Sequence, residues 1–265
     1  MTSPNEIGVK VRDLEPLQAF QWLQKGWMDF KQVPQIGLLH GLAVSGFGAL
    51  LLLVAHDQFW LLAGAFTAFL AVAPVVAVGL YAVSRALEKN KPVSLMLVFQ
   101  TWWSWRGHPH HDWRLVRFGL LLGLSGAGWV ITSAALITLL SEQPVNHPED
   151  FLRYVVAAPG QYLFEIWLLM GGLLAAPVFA STVVTLPLLL DRKIGILDAV
   201  LVSWKAVMQN PIPMALWAAL LMMLALMGML ALVGSILVVP VLGHASWHAY
   251  RDSVVVDQLP LRTKE

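Results

Sequence analysis

The sequence predicts an all-α membrane protein, a bundle of six transmembrane helices with amphipathic helices at its cytoplasmic surface. Of its 265 residues, 58% are hydrophobic and 12% are charged, whereas soluble domains are about 45–50% apolar and about 25% charged. Twelve residues are Trp, which is enriched at bilayer interfaces. The chain has no Cys, which excludes disulfides and thiolate metal sites. A net charge of +1 gives no indication of a nucleic-acid partner.

Apolar segments long enough to cross a bilayer, which takes about 20 residues, occur in six places. The last apolar block, from residue 212 to about residue 250, is too long for one crossing at about 1.5 Å per residue. Gly234 and Ser235 permit a turn inside it. The predicted spans, which form one membrane domain over residues 1–265, are 36–55, 59–84, 117–140, 162–190, 212–232 and 235–252.

The distribution of Lys and Arg supports this topology, with both termini in the cytoplasm. Basic residues collect on the cytoplasmic side of a membrane, and with six spans Arg153 is the one Lys or Arg of the 17 that lies outside. If the last block crossed the membrane only once, Arg251, Arg262 and Lys264 would also lie outside. The first 35 residues lack the continuous apolar core of a signal peptide, so we expect them in the mature protein.

Three segments that precede a span from the cytoplasmic side are predicted to be interfacial helices: residues 14–33, 93–105 and 195–209. In the first, one arc is apolar and the opposite arc is polar at 100° per residue. The apolar arc holds Ala19, Phe20, Leu23, Trp27 and Phe30, and the polar arc holds Gln18, Gln21, Lys25 and Asp29.

The order of these segments suggests three pseudo-repeated helical hairpins. Each unit would be an interfacial helix, an outgoing span and a returning span with a Pro near its middle. Pro74, Pro177 and Pro240 occupy that position and are predicted to kink their helices. The middle unit departs from the pattern, because Pro187 is an additional Pro.

Histidines are the candidate ligands of this sequence, because the spans carry almost no other ionisable side chains, which are the usual indication of function inside a membrane. His244 and His248 share one face of the last span, and His40 lies near the inner end of the first. Neutral imidazoles bind haem iron or a divalent metal. The alternative interpretation is interhelical hydrogen bonding.

The inner loop between the second and third spans offers a second candidate set. His108, His110, His111 and Asp112 are donor types that bind divalent metals, although neighbouring residues rarely converge on one ion. The alternatives are a solvated turn flanked by interfacial Trp and a pH-sensitive contact with a partner.

Pairs of glycines spaced four apart indicate helix packing. Gly37 with Gly41, and Gly119 with Gly123, would let helices approach closely within the chain, and the alternative is a dimer face. None of them resembles a phosphate-binding loop. The sequence contains no Gly-x-Ser-x-Gly, His-Glu-x-x-His or Gly-x-Gly-x-x-Gly pattern, so we expect no enzymatic activity.

Several segments resemble the bacterial integral-membrane family called domain of unknown function 2189. They are Trp22-Leu23-x-x-Gly26-Trp27, Pro74 to Ser84-Arg85, Leu186 to Arg192, Ala199 to Ser203, and Pro240-Val241-Leu242-Gly243-His244-Ala245-Ser246-Trp247-His248-Ala249-Tyr250-Arg251. Together they cover nearly the whole chain, and the last is the most specific. The resemblance implies a proteobacterial inner-membrane protein of several helices and implies no activity. Some relatives carry labels that connect them with respiratory oxidases.

The function that this sequence favours is that of a non-enzymatic accessory or assembly component of a larger membrane complex, such as a respiratory one. The spans free of charge, the small-residue helix faces and the aromatic amphipathic helices favour association with other membrane subunits or with a second copy. The alternative is a small-solute permease or channel, since broken helices often line transport paths. The third hypothesis is a haem- or metal-binding protein that uses His40, His244 and His248; no cofactor is predicted otherwise.

Overall fold

A computed structural model describes residues 9–104, 113–158, 162–230 and 233–262 of the chain. These residues form twelve α-helices, one π-helix and two short strands. In chain order the elements are β1 (Lys10–Val11), α1 (Gln18–Gln32), α2 (Pro34–Ala55), α3 (Phe59–Val76), α4 (Val78–Glu88), α5 (Leu95–Trp103), α6 (Arg114–Leu140), α7 (Pro148–Phe151), the π-helix (Leu152–Val156), α8 (Leu163–Thr182), α9 (Thr185–Asp191), α10 (Ile196–Gln209), α11 (Pro211–Leu230), α12 (Ser235–Ser253) and β2 (Val254–Val255). The predicted all-α class is therefore confirmed, apart from one two-stranded pairing.

Four helical segments of the described chain are long and apolar enough to cross a membrane: Pro34–Ala55, Arg114–Leu140, Leu163–Asp191 and Pro211–Leu230. They correspond to the first, third, fourth and fifth predicted spans. The protein is thus a multi-pass integral membrane protein, and the predicted count of six spans goes beyond these four segments.

The second predicted span, residues 59–84, is two helices in the structure. Pro74 lies near the end of α3, where it cannot donate the hydrogen bond that a helix would otherwise make to the carbonyl of residue 70. α3 ends at Val76, and Ala77 becomes the N-cap of α4. The fourth span is interrupted in a similar way between α8 and α9, and Pro187 then lies in the first turn of α9, where its missing N–H is tolerated.

The sixth predicted span is the continuous helix α12, which runs through Pro240. It is not among the four long apolar segments, because its second half carries two His, an Arg and an Asp.

The chain divides into two compact units. The first comprises Met1–Gly46, Pro74–Phe118 and Phe179–Glu265, and the second comprises Phe47–Ala73 and Gly119–Val178. Every boundary between them falls inside a helix, namely α2, α3, α6 or α8.

The first unit is built on a close crossing of α1 and α12 at Gly26. A Cβ added at Gly26 would lie 2.6 Å from both the amide nitrogen of Ala245 and the carbonyl oxygen of Val241. The two backbones are therefore in contact, and only a residue without a side chain fits. Trp22 is fully buried one turn earlier, with its ring edge-on to Trp217 of α11 at 5.5 Å between centroids.

The predicted polar arc of the first amphipathic segment is wrong in part. α1 buries Ala19, Trp22, Gly26, Asp29 and Phe30, so Asp29 lies on the packed face. Phe20 and Trp27 of the predicted apolar arc are exposed instead. The rotation follows from two features that hydropathy does not weigh: Gly26 permits the closest approach, and the Asp29 carboxylate has a partner on α12.

The two chain ends meet in the first unit. β1 and β2 pair antiparallel, with Lys10 opposite Val255 and Val11 opposite Val254, and the amide of Arg12 donates to the carbonyl of Ser253 at 2.9 Å. Since hydrogen-bonded strands must share one side of a membrane, the number of complete crossings between them is even.

The second unit has a core of Ile137, Val145, Val155 and Leu163 surrounded by aromatic side chains. Among those rings, Phe59 stacks on Phe151 at 5.1 Å between centroids. The loop before α7 is fixed by Asp150, whose Oδ2 accepts hydrogen bonds from the amides of His147 at 2.9 Å and Asn146 at 3.1 Å. These two bonds hold the pKa of Asp150 below its usual value.

Replacing Gly26 with Ala is expected to destabilise the first unit. The new methyl group would overlap backbone atoms that cannot move independently, and overpacking of this kind costs about 1–3 kcal/mol. The measurement is the thermal unfolding midpoint of the purified protein in a mild detergent. Gly46→Ala is the matched control, because no atom of the described residues lies within 4 Å of its added Cβ. Equal midpoints for the two variants would contradict the close crossing.

Candidate functional site

The candidate site is the set of polar side chains on the second half of α12. Six of the polar or charged side chains between His244 and Asp252 project from one helix at different angles and contact neighbouring helices. In order around the helix, Asp252 and His248 face α1, His244, Arg251 and Trp247 face α4, and Tyr250 faces α9. The partners that follow show that this polar half-helix is the centre of the first unit.

The contacts with α1 use two carboxylates. The Asp29 Oδ2 atom lies 2.8 Å from Nε2 of His248, and both side chains are largely buried. The Asp252 Oδ2 atom accepts hydrogen bonds from three side chains of α1, Gln18 at 3.2 Å, Trp22 at 3.0 Å and Lys25 at 2.9 Å. Their spacing of three or four residues puts these donors on one face of α1.

The contacts with α4 join three side chains of α12 to two of α4. His244 is fully buried, and its Nδ1 lies 2.7 Å from the Ser84 hydroxyl oxygen. One helical turn further along each helix, Glu88 accepts a hydrogen bond from Trp247 Nε1 at 3.0 Å and another from Arg251 Nε at 2.9 Å. Among the described residues, Nε2 of His244 has no hydrogen-bond partner.

The contacts with α9 centre on Asp191. Its Oδ2 accepts hydrogen bonds from the Tyr250 hydroxyl at 2.9 Å and from Arg192 Nε at 3.0 Å, and its Oδ1 lies 2.9 Å from Arg85 Nε of α4. The Asp191 carbonyl also accepts from the amide of Arg262 at 3.0 Å. The carboxylate of Asp191 thus joins α4, α9 and α12, and its backbone carbonyl binds the C-terminal tail.

The acids of this network are matched by basic groups. Asp29 is paired with His248, Glu88 with Arg251, and Asp252 with Lys25. Asp191 lies between two guanidinium groups, those of Arg85 and Arg192. A buried charge is tolerated when it is paired and hydrogen-bonded, so the arrangement connects four helices without leaving an acid isolated in the apolar interior.

The three histidines predicted as ligands have separate partners in the structure. His40 Nδ1 lies 2.9 Å from the carbonyl of Ile36 in its own helix, while His244 and His248 contact Ser84 and Asp29. No group of three or more His, Asp or Glu in the described residues has a metal-binding arrangement. Binding of haem or metal stays a prediction.

The other predicted metal set, His108, His110, His111 and Asp112, lies outside the described residues.

The predicted packing glycines fall into two environments. Gly37 lies against the Phe30 ring of α1 and against Pro240 of α12, and Gly41 lies against the backbone of Ile236 of α12. Neither position has room for a side chain. At Gly123 an added Cβ would meet no atom of the described residues within 4 Å. A packing role for Gly119 and Gly123 stays a prediction.

The three prolines that are predicted to kink their helices differ in how far the helix continues after them. The helix ends soon after Pro74, whereas α8 continues from Pro177 to Thr182 and α12 runs on beyond Pro240. The kinks at Pro177 and Pro240 stay predictions.

The sequence interpretation missed the partners of α12. The sequence pattern puts Asp29 on the polar arc, and Ser84, Glu88 and Asp191 are not among the predicted site residues. The signal that could have found them is the presence of three acids within or beside apolar helical segments, where water cannot solvate them. Each such acid needs a donor, and the polar end of α12 supplies donors to Asp29, Glu88 and Asp191.

Replacing Asp191 with Asn is expected to destabilise the protein strongly. The amide removes the charge that Arg85 and Arg192 face in a site where the Asp191 side chain is only 4% exposed, and breaking a buried pair costs about 3–5 kcal/mol. Thermal unfolding in detergent measures the loss. The matched control is Asp57→Asn, because its pair with His56 is exposed and such a pair contributes about 0–1 kcal/mol. A similar midpoint for both variants would show that the Asp191 contacts do not hold the first unit together.

The family described as "Predicted integral membrane protein (DUF2189)" matches residues 61–191. No curated protein and no solved structure matches the chain. The match contains Ser84, Arg85, Glu88 and Asp191 of the network, and it ends before α12, although the closing segment of α12 is the most specific part of the resemblance in the sequence. Over residues 61–191, the chain is similar to the DUF2189 family of predicted integral membrane proteins.

Proposed function

We propose that the protein is a non-enzymatic accessory or assembly subunit of a larger complex in the bacterial inner membrane. The proposal rests on the low buried fraction of the long apolar helices within this chain. In the most apolar 18 residues of α2, α6 and α11, 17%, 22% and 28% of the residues are buried. The remaining surface faces lipid or other subunits.

The exposed helix faces are suited to contact with other helices. Lipid tails are as apolar as Leu side chains, so association in a membrane depends on close van der Waals packing, which small residues permit. On α6, Gly123 and Gly128 are open to a neighbour, beside Leu120 and Leu124, which are largely exposed. A helix of a partner subunit would fit against this face.

The network around α12 also favours a structural role. Its acids are used to join α1, α4 and α9, and a group that exchanges ions or protons with a substrate would have to leave such a pairing. The proposal thus assigns these side chains to holding the subunit together.

The topology that we propose has six crossings with both termini in the cytoplasm. The α3–α4 segment and α12 would supply the second and sixth crossings, which keeps the number even, as the pairing of β1 with β2 requires. The short helices α1, α5 and α10 each precede a long apolar helix, α2, α6 and α11 respectively. This order supports the three pseudo-repeated hairpins.

A small-solute permease or channel is the second candidate. The observation that favours it is the pair of helix interruptions, at Ala77 between α3 and α4 and at residues 183–184 between α8 and α9. Discontinuous helices often form transport sites. The haem or metal hypothesis has no such supporting contact among the described residues.

Photo-crosslinking in native membranes tests the accessory role. A photoreactive benzophenone side chain replaces Leu124, which is 69% exposed on α6, or Leu122 of the same helix, which is 4% exposed. We expect the variant at position 124 to form an adduct with another polypeptide, identified by mass spectrometry after affinity purification, and the matched variant at position 122 to form none.

Adducts with lipid alone, together with purification of the protein alone or as a homo-oligomer, would overturn the accessory role. Solute uptake by liposomes that contain the purified protein would then decide for or against the permease.

A further inference from the structure

Helix α5 has two different apolar faces. Its inner face holds Val98 and Trp102, which pack with Ile36 of α2 and Val83 of α4 in one buried cluster. Its outer face, hereafter the α5 outer face, is an uninterrupted arc of four large apolar side chains. These are Leu95, Met96, Phe99 and Trp103, which are between 44% and 71% exposed.

The position of α5 is fixed by the turn that precedes it. Asn90 has a φ of 52°, in the left-handed region that Asn adopts at helix ends, and the amide of Lys91 donates to the carbonyl of Ala86 at 2.8 Å. This turn ends α4, and the Ser94 hydroxyl then accepts from the amide of Leu97 at 3.3 Å to begin α5. With its inner face packed and its start capped, α5 has its outer face directed away from the first unit.

The chemistry of the α5 outer face fits the interfacial region of a bilayer. It combines the apolar side chains of Leu95, Met96 and Phe99 with a terminal Trp, a residue that partitions to the headgroup level. Lys89 and Lys91 precede the helix, and Arg114 and Arg117 follow it at the start of the candidate span α6. Basic residues beside a membrane-spanning helix are attracted to anionic headgroups.

A protein partner fits this face less well. Four side chains are far fewer than the roughly 20–30 residues that each side of a stable protein interface contributes. A bilayer needs no such area, because α5 is already held beside it by the membrane-spanning helices of the same chain.

We propose that the α5 outer face is a lipid-binding surface that inserts into the headgroup and upper acyl region of the bilayer. The inference holds whether or not the protein is an accessory subunit, because it depends on α5 and on the membrane alone.

The absence of Cys from the chain makes a direct test possible. Single-cysteine variants at Phe99 and at Gln100 are labelled with a nitroxide and reconstituted into vesicles of mixed zwitterionic and anionic phospholipid. Gln100 is the matched control, since it is the adjacent exposed residue on the polar side of the same helix. Power-saturation electron paramagnetic resonance then measures collisions of each label with oxygen, which concentrates in lipid, and with a water-soluble nickel chelate.

We expect the ratio of oxygen to nickel collisions to be several-fold higher at position 99 than at position 100. A label at Met96 should behave like the one at position 99, which protects the test against a folding defect in one variant. The side chains at all three labelled positions are exposed, so none of the substitutions removes a buried core side chain. Equal ratios at positions 96, 99 and 100, all with free access of the nickel chelate, would overturn the proposal, because the face would then lie in water.

Discussion

The structure of the first unit depends on one constraint: polar side chains that are buried among apolar ones must have hydrogen-bonding or charged partners. An unpaired carboxylate or guanidinium cannot be buried without a large loss of free energy. Asp29, Glu88, Asp191 and Asp252 therefore have to meet donors, and the second half of α12 provides or adjoins most of them. The positions of α1, α4 and α9 follow from where those acids lie along the chain.

The same constraint explains why short and rather polar helices belong to the interior of this membrane protein. α1 and α4 are shorter than the four candidate spans, yet they pack around α12 because Gly26 permits a backbone contact and because Asp29 and Glu88 bind side chains of α12. The ends of the chain are then drawn together, and β1 pairs with β2 next to the end of α12.

The sequence was sufficient for the class of the protein, because long apolar runs and scarce charge have one physical explanation. It also located helices close to the observed bounds, such as the segment 195–209 that is α10 (Ile196–Gln209). It failed where a single contact outweighs the pattern. By its spacing along the helix Asp29 belongs to the polar arc of α1, but in the structure it is buried against His248.

The interruption at Ala77 illustrates the same limit in an element that hydropathy described as one span. The run of apolar residues is continuous there, and only the missing N–H of Pro74 together with the packing of α4 decides that the helix ends.

For the candidate site, the closing segment with its two His residues was recognised from the sequence, whereas its partners were not. They come from parts of the chain 59 to 234 residues away, and one sequence holds no record of that proximity.

Hydrogen–deuterium exchange of the protein in lipid nanodiscs, followed by mass spectrometry, tests the central claim that α12 holds the surrounding helices through its polar side chains. The amides of α1 should exchange as slowly as those of α12, because the two helices open only together. Rapid exchange along the whole of α1, with α12 still protected, would contradict the account and show that α1 is a surface helix independent of the network.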